Sequence, residues 1–119
     1  MKAGRFIVAV FVLLCAVAGC RYDVESNTSC STANVTYSST VTGIIRSYGC
    51  LAEGCHGGAN PLSGFTLTDY NGVKAKESRL YGALNHAPGY FPMPQNGGKI
   101  SSCDLEKIKA WLDAGAPNN

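Results

Sequence analysis

The sequence predicts an all-α domain of three to five short helices, on three observations. Apolar residues recur at helical spacing over 37–48 and again over 105–112. Residues suited to capping stand just ahead of both stretches. Between them lie segments dense in turn residues, GGANPLSG at 57–64 and HAPGYFPMPQNGGK at 86–99. In the first helix Tyr37, Val41, Ile44, Ile45 and Tyr48 share a face, Thr36 or Asn34 is available as N-cap, and Gly49 stops it before Cys50. Phe65-Thr66-Leu67 reads as a short extended piece, followed by a modest helix over 69–75. A further helix over 79–86, capped by Ser78, turns Leu80, Tyr81 and Leu84 inward. Three prolines and three glycines then keep 86–99 irregular. The last helix has a capping box in Ser101 and Asp104, an apolar face of Leu105, Ile108, Trp111 and Leu112, and a stop at Gly115 followed by Pro117.

Residues 1–19 read as an export signal. Lys2 and Arg5 precede an apolar run over 6–18 that is too short to cross a bilayer as a stable helix. The run ends in Val17-Ala18-Gly19-Cys20, which resembles the bacterial lipoprotein cleavage box and makes Cys20 the lipidated N-terminus. An ordinary secretory signal cut nearby is the other reading; both export the chain to a compartment that permits disulfides. Residues 20–33 are polar and poor in aliphatics, a lipidated start and flexible tether. That leaves 34–119 as one small domain with marginal core volume. Arg21 is not the Asp that retains some lipoproteins on the inner membrane, which tilts the expected placement to the periplasmic side of the outer membrane. Once Lys2 and Arg5 leave, net charge is near zero, and no electrostatic case for nucleic acid remains.

The run CLAEGCH at 50–56 carries the chemistry: Cys50, four residues, Cys55, and His56 at once after it. Two thiols followed by an imidazole can tether a haem through its vinyl groups and ligate the iron from one side. The usual spacing is C-x-x-C-H, so two additional residues, such as Ala52 and Glu53, must loop outward for both sulfurs to reach. The chain has six cysteines. Cys15 leaves with the signal, Cys20 takes the lipid, and Cys50 and Cys55 serve the haem, so Cys30 and Cys103 remain as a candidate disulfide. Two competing readings stay open at this level: two disulfides among the four late cysteines without a cofactor, and a zinc site built on Cys50, Cys55 and His56.

The layout resembles the class I cytochrome c fold. More closely, 34–119 is similar to the small single-haem cytochrome c-like domains of bacterial lipoproteins, through the haem motif, GYFPMPQNGGKIS at 89–101 and IKAWLDAGAPNN at 108–119. That resemblance implies haem c as cofactor and Met93, in Pro92-Met93-Pro94, as the second iron ligand. It also implies that the first and last helices pack together, which would carry Cys30 towards Cys103. A thioether suits haem iron, and flanking prolines stiffen the backbone that holds it; a core gap-filler is the plainer role for Met93. His86 is the rival ligand, although a ring hydrogen-bonded to a loop carbonyl is the favoured reading of it. Gly57 and Gly58 would let the backbone approach the porphyrin, and the Pro61 carbonyl would accept from His56 Nδ1. Phe65, Leu67, Tyr70, Leu80, Tyr81 and Leu84 would wall the pocket, positions that ordinary core packing predicts equally; Arg79 or Lys74 would face a propionate, but solvated surface charge is the favoured reading of both.

The function expected from this reading is single-electron transfer between redox partner proteins at a membrane surface, without enzymatic activity. The alternatives are a haem sensor or peroxidase-like protein with a labile sixth ligand, and a haem-free, disulfide-stabilised lipoprotein that binds a partner.

Overall fold

Thr36 opens the first helical segment, its hydroxyl accepting from the Ser39 N–H at 3.3 Å. The computed structural model describes residues 29–119; the expected signal, Cys20 and most of the tether lie outside them. A π-helical turn, Tyr37–Val41, leads directly into α1, Thr42–Ser47. The periodicity of 37–48 predicts one uniform helix, but the Thr36 carbonyl accepts from both Thr40 and Val41 at 3.1 Å, which widens the first turn. Thr42 Oγ1 also donates back to the Ser38 carbonyl at 2.9 Å, a contact of the kind that bends helices.

Three helices follow: α2, Tyr70–Lys74; α3, Glu77–Leu84; and α4, Ser102–Asp113. No strand occurs among the described residues, and 65–67 is irregular. Asp69 caps α2 by accepting from Gly72 N–H at 2.8 Å. The expected cap at Ser78 is corrected: α3 begins at Glu77, and its N-cap Lys76 makes no side-chain capping bond. An acidic residue in the first turn complements the helix dipole there, and Glu77 also pairs with Lys74 at 2.7 Å.

Three of the four α-helices end alike. After α1, Gly49 N–H bonds the Arg46 carbonyl at 3.0 Å and Cys50 N–H the Ile45 carbonyl at 3.1 Å. After α4, Gly115 bonds Leu112 and Ala116 bonds Trp111, both at 2.9 Å. After α3, His86 bonds Ala83 at 3.2 Å and Ala87 bonds Gly82 at 2.9 Å. Each is the Schellman pairing, which needs a left-handed residue just past the helix. Gly49 and Gly115 supply it without strain, at φ +67° and +88°; His86 supplies it at +54°.

Packing centres on Trp111, Ile108, Val41 and Val73, all fully buried. Helix α4 packs on the π-helical turn and on α3, and Tyr37 meets Trp111 and Tyr70 at ring separations of 6.0 and 5.2 Å. The C-terminal residues then fold over this core. Trp111 Nε1–H donates to the Pro117 carbonyl, and Tyr70 Oη–H to the Ala116 carbonyl, both at 2.9 Å. Asn119 Oδ1 accepts from Tyr37 N–H at 2.8 Å, closing the start of the first segment. The disulfide Cys30–Cys103 forms with Cα atoms 5.3 Å apart and joins the preceding segment to the start of α4.

Tyr48 ties the end of α1 to that same start. Its hydroxyl donates to Asp104 Oδ2 at 2.8 Å and accepts from Ser101 N–H at 3.0 Å. Ser101 Oγ accepts from Asp104 N–H at 3.1 Å, as a capping box requires. The return bond to Ser101 N–H is made by Tyr48 in place of the Asp104 carboxylate. Burial pushes the Asp104 carboxyl up, but hydrogen bonds from Ser101 and Tyr48 and the Lys107 charge outweigh it and hold it below its ordinary value. A carboxyl depressed by folding stabilises above its unfolded pKa, about 3.9, and loses that contribution as pH falls through the folded value. Stability should therefore drop on acidification below about pH 4. Tyr48→Phe should flatten that slope and cost about 1 kcal/mol at neutral pH, read from denaturant melts across pH.

Candidate functional site

Gly49 hands the chain into residues 50–56, which fold as consecutive turns. Ala52 N–H donates to the Gly49 carbonyl at 3.1 Å and Cys55 N–H to the Ala52 carbonyl at 2.9 Å. His56 N–H then returns to the Cys50 carbonyl at 2.9 Å and closes the loop. Residues in excess of the usual spacing are thereby forced outward: Ala52, Glu53 and Gly54 are exposed, Gly54 at φ +84°.

Cys50 is half-buried, Cys55 is exposed, and both thiols are free. Cys30 and Cys103 are joined to each other, the one disulfide among the described residues, and no bond links Cys50 to Cys55. Burial pushes the Cys50 thiol up, against the pull of its own backbone N–H and with the help of Cys55, so it stays protonated at neutral pH. No three His, Cys, Asp or Glu side chains gather among the described residues as a metal cluster would need. Cys50, Cys55 and His56 therefore do not converge on one point in the way a zinc site demands.

His56 is the one polar side chain buried among the described residues, at 7% exposure. Its carbonyl accepts from Leu67 N–H at 2.9 Å, which pins the base of the 57–64 loop. Its ring lies 4.5 Å from that of Phe65, and Lys76 Nζ stands 4.4 Å from the Phe65 centroid. Nothing in the sequence pattern marks this stack. The Pro61 carbonyl, expected to hold Nδ1, accepts instead from Gly64 N–H at 3.0 Å. Nδ1 is buried without a partner. Burial pushes the imidazole below its ordinary pKa, partly offset by the Phe65 backbone, so it is neutral and has a lone pair to give. An orphaned buried nitrogen costs about 1–3 kcal/mol and calls for an explanation in function.

Gly57 serves packing. A Cβ there would land on the Leu51 carbonyl, so the backbones touch directly. Gly57→Ala should cost about 1–3 kcal/mol by thermal melt while Gly58→Ala, at φ +75° with open space around it, costs about 1 kcal/mol. Leu67, Leu80 and Leu84 are buried in the core, with Phe65, Tyr70 and Tyr81 packed against it. The two cations expected near a propionate are engaged elsewhere. Lys74 bonds Glu77 and, at 2.9 Å, the Gly115 carbonyl; Arg79 lies 5.6 Å from the Tyr90 ring centroid.

Met93 is half-buried and packs against the same core as Cys50 and Phe65. Its N–H donates to the Ala83 carbonyl at the end of α3, at 3.0 Å. Its carbonyl lies 3.0 Å from His86 Nε2. Large apolar side chains flank both halves of the site in the open. Leu62 is 87% exposed and leans over the 50–55 loop, its Cδ1 3.6 Å from where a Gly54 Cβ would sit; Phe91, two residues before Met93, is 60% exposed.

No protein-family model, curated protein or solved structure matches the chain. The reading of the site therefore stands on its residues. The groups a covalently held haem would use are present, in two free thiols, a neutral buried imidazole and a thioether on a backbone tied to α3, but the partner expected for Nδ1 at Pro61 is not.

Proposed function

We propose that the chain is a lipid-anchored c-type cytochrome of the class I, single-haem kind, passing single electrons between redox proteins in the bacterial cell envelope. The observation that carries this reading is His56: a neutral, buried imidazole directly after two thiols left free in a chain that forms a disulfide elsewhere. Haem c, when bound, supplies a one-electron Fe(III)/Fe(II) couple. Cys50 and Cys55 would hold it as thioethers, and His56 and Met93 would ligate its iron. Two protein ligands would leave substrate no open coordination site, which favours carrying electrons over catalysis. Leu62 and Phe91 would cover the ring and exclude water from it. Cys20, if lipidated, confines the carrier to a membrane surface beside its partners. The reading is tested by voltammetry of protein matured with a haem-attachment system. A reversible one-electron wave is expected, and a redox-silent protein would sink it.

A further inference from the structure

We infer that His86 is a positioning residue for Met93: from a left-handed helix terminus, its Nε2–H holds the Met93 carbonyl and so sets where the thioether can lie. This rests on the reading of Met93 as an iron ligand. The carbonyl can only accept, so the 3.0 Å contact makes Nε2 the donor. That nitrogen is then committed to the backbone of the residue with which His86 would otherwise compete. Pro92 and Pro94 have no N–H, so Met93 provides the only backbone donor of the tripeptide, and Ala83 accepts it at 3.0 Å. Both polar groups of the Met93 backbone are thus tied to the last turn of α3 and its cap. Tyr90 adds a third hold: its ring lies so close over Gly82 that a Cβ there would collide with it.

The backbone at His86 is left-handed, as it is at Asn34, Asn96 and Ala116. Its φ of +54° is a conformation that glycine adopts freely, as it does at the matching positions after α1 and α4. A residue with a Cβ is strained there, and His86 alone of the three caps has a side chain that reaches the Met93 loop. Glycine would end α3 better but could not hold Met93.

That contrast gives the experiment, on the full-length matured protein. His86→Gly relieves the strain and removes the clamp; His86→Gln keeps a donor at about the reach of Nε2. Three readouts are taken: thermal midpoint, exchange of the Met93 amide, and the near-infrared charge-transfer band of methionine-ligated ferric haem. H86G should melt at or above the wild-type temperature, exchange the Met93 amide about tenfold faster, and lose band intensity. H86Q should restore the exchange rate and the band. Wild-type exchange and an unchanged band in H86G would overturn the inference, as would failure of H86G to fold, which would make His86 structural. Wild-type protein without covalent haem would instead overturn the electron-carrier reading, and amide exchange alone would then decide the clamp.

Discussion

Replacing Cys30 and Cys103 together by serine is expected to lower the stability of the domain by about 4–5 kcal/mol. The bond closes a separation of 73 residues, most of the described chain, so its loss returns a large loop entropy to the unfolded state. A domain of this size has about 5–15 kcal/mol in total, so the variant should lie close to its threshold. Its thermal midpoint should fall by roughly 20 °C or more. The effect should couple to Tyr48→Phe, because the disulfide and the Tyr48–Asp104–Ser101 bonds hold the same end of α4. Simple additivity in that double-mutant cycle, or a midpoint within a few degrees of wild type, would mean that the start of α4 is held chiefly by core packing.

Replacing His56 by leucine is expected to split stability from function. Without cofactor, the imidazole is buried beside Phe65 with Nδ1 unpaired, a cost that an apolar side chain of similar size avoids. The haem-free variant should therefore be as stable as wild type or more so, by up to about 3 kcal/mol. The matured variant should lose its low-spin spectrum and its redox wave, since the proposed iron ligand is gone. Gains in stability on removing a group are the mark of a residue kept for function. A haem-free H56L that is several kcal/mol less stable would make His56 a core residue instead.

Much of the fold was legible because it rests on local chemistry. Thr36, Asp69 and Ser101 cap as their side chains dictate, and Gly49 and Gly115 end their helices by permitting positive φ. Core positions followed from spacing: Val41, Ile44, Ile45, Leu105, Ile108 and Trp111 are all buried. What stayed hidden depends on partners distant in sequence. Ser78 looks like a cap, yet α3 already begins at Glu77, after Lys76, which makes no side-chain capping bond. Tyr48 reads as one more apolar position, but its hydroxyl works 53 residues away at Ser101. Nothing in the order of residues shows that Phe65 stacks on His56 or that Pro61 serves Gly64; a loop carbonyl was expected on the His86 ring, but not that it would be Met93's own. At the site the thiols and imidazole were visible as a motif; the loop that turns Ala52 and Glu53 outward required a backbone bond from His56 to Cys50 that no spacing rule encodes.

The central claim is a covalent one, and peptide mass tests it most directly. Protein matured with a haem-attachment system should be denatured, stained for haem on a gel, digested and weighed. The account expects the stain to persist through denaturation and one peptide containing Cys50 and Cys55 to carry a haem through both sulfurs. A colourless band whose peptide shows two free thiols, or a bond between Cys50 and Cys55, would contradict it.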